Sequence, residues 1–206
     1  MSYAVCIVNI ENMKKTPYHH GDLEQALLEV GLSEARASGA RNLGVTYLAK
    51  QVNVTPMAVY RHFPNGESLK VSISQLAREE LAKRMQVAVA READVKRRFQ
   101  ATGRAYIEFG LDEPGLFAVA FLDCDATPRR YDDPSAWDIF QGAILDLAEA
   151  GYIELVDVQA VTSMAWAVVH GFVVLAGSNT TYLSDTTSAQ IDDLIERTWR
   201  GITAPL

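Results

Sequence analysis

Nothing constrains this chain more than residues 45–63, VTYLAKQVNVTPMAVYRHF. Val45, Leu48, Ala49 and Val52 recur at helical spacing and define one apolar face. Asn53 follows, and Asn is among the residues with a Cβ that best tolerate the left-handed backbone a helix end tends to need. Thr55 then offers a hydroxyl as N-cap, and Pro56 stands at the first helical position, where its missing N–H costs nothing. The pattern predicts two short helices joined by a tight turn, with Ala49 small where the second helix crosses. In this reading Val54 and Val59 pack inward, while Thr55, Met57, Ala58, Tyr60 and His62 face outward or flank the contact. A short helix with small residues at its exposed N-terminal end, and with Thr, Tyr and His around it, suits a DNA major groove.

The rest of the chain reads as helices. Asp22 can cap a helix running to about Ser38, with Leu23, Ala26, Leu27, Val30 and Ala37 as its apolar face and Gly39 as its stop. Pro64, Asn65 and Gly66 form a turn. A long helix then begins near Glu67 and reaches about Arg91, with Glu67, Lys70, Arg78, Glu79, Glu80, Lys83 and Arg84 read mostly as a solvated face. From about Ala93 the composition shifts, and helices are predicted near 94–111, 114–122, 134–150, 158–176 and 188–201. Glu113-Pro114, Thr127-Pro128 and Asp133-Pro134 mark breaks, and Gly151 closes a helix. No strand pattern competes over any length and there is no internal repeat. The predicted class is all-α, a three-helix head with a helix-turn-helix, joined by a long helix to a C-terminal helical body. The divisions fall at 1–20 (arm), 21–66 (head), 67–92 (connecting helix) and 93–206 (body).

A net charge of -7 over 206 residues argues against a DNA binder until its distribution is considered. Residues 1–90 carry 10 Lys and Arg against 8 Asp and Glu, whereas residues 91–206 carry 9 against 18. A weakly basic head on an acidic body fits a protein that touches nucleic acid at one end only, although surface charge also drifts along chains without function. Cys6 and Cys124 are too far apart, and too isolated, to indicate a disulfide framework or a zinc site. No metal or cofactor is called for. The run Tyr3 to Val8 is apolar but short and lacks a preceding basic region, so a secretory signal is not indicated and a reducing cytoplasm is the default.

The leading helix LEQALLEVGLSEARASGA, then LAKQVNVTPMAVYRHF, then the PNGESL that opens the following helix resemble the TetR family of transcriptional regulators. YHHGDL (Tyr18 to Leu23) and AWAVVHG (Ala165 to Gly171) are similar to the subgroup whose ligand domain carries a Trp-x-x-x-His-Gly signature. The resemblance covers the first 70 or so residues well and the remainder thinly. It implies that Thr55, Tyr60 and His62 touch phosphates and that Thr46, Met57 and Ala58 lie near base edges, with Pro56 shaping the helix start. Two positions depart from the family pattern: Gly66 stands where many relatives carry a phosphate-gripping Lys, and Asn53 replaces the usual turn Gly. Lys15, Tyr18 and His19, on the N-terminal arm, either lie along the DNA backbone or form a solvated tail.

The resemblance also implies a homodimer, an operator duplex and a small-molecule effector. Tyr106, Phe117, Phe121, Cys124, Trp137, Phe140, Met164, Trp166 and His170 are the candidate effector lining, aromatic with a few polar groups; most of them are expected to be plain core. Val158 to Ser184 is an uncharged run of 27 residues. It lacks Lys or Arg anchors and contains Thr162, Ser163 and His170, which argues for a packed helix over a membrane span. Val161, Ala165, Val168 and Phe172 on this helix, with Ile191, Leu194, Ile195 and Trp199 on the last, are assigned to a four-helix dimer interface; the alternative is an ordinary intramolecular core. The function expected is a ligand-responsive repressor released from its operator by a small molecule. Two rivals are an enzyme using Cys124 as nucleophile and His170 as base beside Asp123 or Asp125, and a helical adaptor that does not bind DNA.

Overall fold

A computed structural model describes residues 20–122, 134–177 and 186–204. Among the described residues the chain is all helix and turn: α1 (His20–Ser38), α2 (Val45–Gln51), α3 (Pro56–Val59), α4 (Gly66–Val89), α5 (Val95–Asp112), α6 (Pro114–Ala120), α7 (Ala136–Glu149), α8 (Val158–Gly177) and α9 (Ser188–Thr203). Two short 3-10 turns, Gly39–Asn42 and Leu155–Asp157, were not foreseen in the sequence. The arm residues Lys15, Tyr18 and His19, and Cys124 with its flanking Asp123 and Asp125, lie outside the described residues.

Local chemistry sets these boundaries. α1 stops at Gly39, whose φ of 61° is the left-handed turn that a Cβ would strain. Asn65 caps α4 by accepting from the Ser68 N–H at 2.8 Å, and the Ser68 hydroxyl returns the bond to the cap. Ser135 and Thr187 cap α7 and α9 in the same reciprocal way. Asp94 caps α5 through the Arg97 N–H.

α1, α2 and α3 close on the first turns of α4, and Leu27, Leu43, Leu48, Val59, Leu69 and Ile73 are fully buried there. The buried side of α1 runs through Leu23, Leu27, Gly31 and Ala35, so Ala37, assigned to the apolar face, is exposed instead. Four-residue steps carry the stripe to Ala35, and Ala37 falls well round the helix from it. α4 then continues into the body and packs on α5, α6 and α7. The body core is centred on Met85, Tyr106, Ile107, Phe109, Leu116 and Ile144, all fully buried.

The short helix α6 is wedged between head and body. A Cβ on Gly115 would lie 2.3 Å from the Ala35 carbonyl oxygen, so only glycine lets α6 seat on the end of α1. Ion pairs brace the same junction. Arg36 at the end of α1 reaches Glu80 of α4 at 2.6 Å and Glu113 at 3.0 Å, and Arg84 meets Asp112 and Glu113 at 3.2 and 3.5 Å. Each exposed pair is worth only about 0–1 kcal/mol, but sharing Glu113 ties three helices at one point.

Candidate nucleic-acid interface and effector cavity

The turn between α2 and α3 is built as its residues require. Asn53 takes φ 57°, and the Val54 N–H donates to the Ala49 carbonyl at 2.9 Å. The Thr55 hydroxyl accepts from the Ala58 N–H at 3.4 Å, and Pro56 is the first helical residue. α3 is one turn long and unwinds through Tyr60, whose following residues still donate backwards, Phe63 N–H to Val59 carbonyl at 3.0 Å. Val59 and Phe63 are buried in the head core and hold this turn rigidly to it.

The opposite face is open. Thr46, Thr55 and Pro56 are exposed, as are Met57 at 69% and Tyr60 at 46%, while Ala58 is half-buried. His62 does not stand out with them: its side chain keeps 12% exposure and its Nδ1 lies 3.8 Å from the Glu24 carboxylate of α1. His62 therefore lies mostly covered beside α1. Lys50 and Arg61, which the sequence reading passed over, are exposed near the same helices. Their positive charge next to Thr55 and Tyr60 was the available signal, since a phosphate-facing surface wants cations.

In the body, aromatic side chains gather around Trp166 of α8. Its ring lies 4.9 Å from Tyr106, 5.3 Å from Trp137, 5.3 Å from Phe140 and 6.1 Å from Phe121. One helical turn on, His170 shares a 2.8 Å hydrogen bond with the Tyr106 hydroxyl through Nδ1, its direction set by the imidazole tautomer. Burial lowers the His170 pKa from its ordinary value and raises that of the Tyr106 phenol, favouring the neutral form of each. Phe117 packs edge-on to Tyr106 and 4.9 Å from Phe121.

A cavity of about 380 Å³ opens beside this cluster, between α4 and the start of α7. Of the predicted lining, Phe121, Trp137 and Trp166 face it. Tyr106, Phe117, Phe140 and His170 support those rings from behind, and Met164 lies elsewhere, in a hollow against Tyr152 and Ile202. The other wall was missed. Gln75, Arg78, Glu79, Ala82, Lys83 and Gln86 of α4 line the cavity; of these, Arg78, Glu79 and Lys83 are expected from the sequence to lie on a solvated face. Their spacing of three and four residues was legible as one side of a helix; what they faced was not.

The interface assignments divide. Ala165, Ile191, Ile195 and Trp199 are buried within the chain itself, which removes them from any free face. Ile191, Ile195 and Trp199 turn α9 onto α5, and Trp199 packs on Phe99 and Tyr152 under the Lys96 ammonium. Val161, Val168, Phe172 and Leu194 are half-buried. The side of α8 that stays exposed runs through Ala160, Met164, Ala167 and Val174.

A small head with an exposed, capped second helix, on an all-helical body holding an apolar cavity, defines a class: the one-component helix-turn-helix regulators of TetR type. Residues 99–201 match the tetracyclin repressor-like, C-terminal domain family, and the chain belongs to that family. Nucleoid occlusion factor SlmA of Marinobacter nauticus is 34% identical over 103 residues, 50% of this chain and 51% of that protein. SlmA of Aliivibrio fischeri is 28% identical over 105 residues, 51% and 52% of the two chains. The chain thus spans about half the length of the curated relatives it matches. Among solved structures, a Rhodococcus sp. RHA1 protein of unknown function superposes with a TM-score of 0.72 at 24% identity, covering 92% of this chain and 100% of that one. The regulator FadR of Bacillus subtilis in complex with stearoyl-CoA gives 0.61 at 15% identity, covering 88% and 98%. These structural likenesses concern the fold alone. Family and fold are those of TetR regulators.

Proposed function

We propose that the chain is an operator-binding homodimer, a repressor released from DNA when a small molecule fills the body cavity. The observation that carries this reading is the asymmetry of α3 and the turn after it. Val59 and Phe63 are locked into the core, while Thr55, Met57 and Tyr60 stand open. In this proposal Thr55 and Tyr60 grip phosphates, Thr46, Met57 and Ala58 meet base edges, and His62 reaches phosphate only by leaving Glu24. The division into arm, head, connecting helix and body at residues 20, 66 and 92 belongs to the same proposal.

A second copy supplies the second recognition helix. The exposed small and apolar residues of α8 let another α8 approach closely across a two-fold axis, with Val161, Val168 and Phe172 at the margins. Leu155–Gly177 is also long and apolar enough to cross a membrane by length and composition. The absence of Lys and Arg from residues 131–196 leaves such a span without cationic anchors, which favours the dimer.

In the binding-competent state the two recognition helices stand about 34–36 Å apart and enter successive major grooves. The ligand acts by preferring the other state, and a near-complete switch needs a preference of roughly 5 kcal/mol. The junction of α1, α4 and α6 transmits it, because α6 sits directly on the end of α1. Selection of bound sites from a randomised duplex tests the whole reading. A two-fold symmetric motif with half-sites one or more helical turns apart supports it; recovery of no enriched motif at low salt removes it.

A further inference from the structure

Resting on the reading of the α4–α7 cavity as the effector site, we propose that its ligand is a monocarboxylate with an apolar, ring-bearing body, and that Arg78 is its anchor. α4 carries two arginines with different surroundings. Arg84 is neutralised by Asp112 and Glu113. Among the described residues Arg78 has neutral partners only: Nη1 donates to the Ser74 hydroxyl at 2.7 Å and the Ala120 carbonyl at 2.9 Å, and Nη2 to the Gln75 side-chain oxygen at 3.2 Å. A guanidinium has five N–H donors, so these three bonds leave two for a ligand. Nε–H lies on the same side of the guanidinium as Nη2, where a carboxylate accepts two parallel bonds.

The rest of the cavity fits an organic acid. Phe121, Trp137 and Trp166 give it an aromatic wall, and Ala82 and Leu81 complete the apolar lining. Among the described residues on its wall, Arg78 and Lys83 are cations, and the carboxylate of Glu79 accepts from Gln75 at 3.4 Å. A volume of about 380 Å³ holds a bicyclic body with a short acidic arm.

The anchor also sits on the transmission path. The Ala120 carbonyl that Arg78 holds belongs to the last residue of α6, one of the carbonyls a helix cannot satisfy internally. A carboxylate on the free edge of Arg78 draws on the same guanidinium that fixes α6, the helix seated on the head.

Isothermal titration of the full chain with 1-naphthaleneacetate and with the neutral 1-naphthaleneacetamide tests this. The carboxylate is expected to bind about tenfold more tightly, with the margin shrinking at high salt. Arg78→Gln should bind the amide about as the parent does and lose the preference for the acid. Arg78→Lys, which keeps the charge without the planar fork, should keep part of it. Equal binding of the two compounds by the parent, or a preference that survives Arg78→Gln, overturns the assignment of the head group while leaving the cavity as a binding site. Binding of neither compound overturns the proposal and the effector reading of the cavity together.

Discussion

α8 and α9 teach more when set side by side than either does alone. α9 is sharply two-faced: Ile191, Ile195, Trp199 and Ile202 go inward, and the other side is charged, with Arg197 on Asp193 and Arg200 on Glu196. α8 has no such division. It carries no charged residue on any side, buries Val158, Thr162, Ala165, Val169 and Val173 against the body, and leaves Met164 and Val174 about half exposed. A helix with one apolar face needs one partner, and this protomer supplies it for α9. A helix with large apolar residues left on its open side calls for a further partner there, and the protomer covers only part of α8. The sequence reading treated both as interface because apolar residues look alike whichever partner they meet. The difference lay in what stood on the opposite face.

The hardest test of the comparison is Trp199→Glu. With Trp199 buried against Phe99 and Tyr152, the variant should lose at least about 3 kcal/mol of folding stability, seen as a lower urea midpoint. A fully stable monomer would instead restore α9 to the interface. Ala167→Glu on the open side of α8 should do the opposite, leaving the thermal melt of the protomer nearly intact while sedimentation shows monomers at micromolar concentration. A dimer that persists would move the two-fold axis off this helix.

A smaller effect concerns the titratable group of α8. His170 has a folded-state pKa below its ordinary value because burial disfavours the imidazolium. The unfolded chain therefore binds the proton more readily, and stability is lost as pH falls from about 6.5 towards the lower folded value. His170→Phe should flatten that part of the melting-temperature profile, at the cost of the Tyr106 hydrogen bond. An unchanged acid slope would show that carboxylates alone produce it. Smallest of all, Arg197→Ala on the solvated side of α9 should barely shift stability, because exposed pairs contribute little. A larger loss in a chemical melt would mean that α9 has a partner on that side too.

What could be read from the chain alone was whatever is decided locally. Asn53, Thr55 and Pro56 announce a turn and a cap through their own backbone and side-chain chemistry, and the structure uses all three in those roles. Helix limits followed from the same kind of signal at Gly39 and Pro114, whereas Asp22, expected to cap α1, lies inside it, two residues past its start at His20. Long-range partners were another matter. Arg78, Glu79 and Lys83 look like any solvated helix face until α7 is placed opposite them. Arg36 gives no hint that it meets Glu80 and Glu113, respectively 44 and 77 residues away. His62 looks outward by spacing, yet it lies mostly covered, beside Glu24 of α1.

The central claim is that the open face around α3 grips nucleic acid. Fluorescence anisotropy of a labelled random duplex, titrated with the parent and with Tyr60→Ala across a series of salt concentrations, bears on it most directly. The account predicts binding by the parent that weakens steeply with salt, and a uniform loss of affinity in the variant on every duplex tried. Indistinguishable curves for the two proteins, or no salt dependence in the parent, would contradict it.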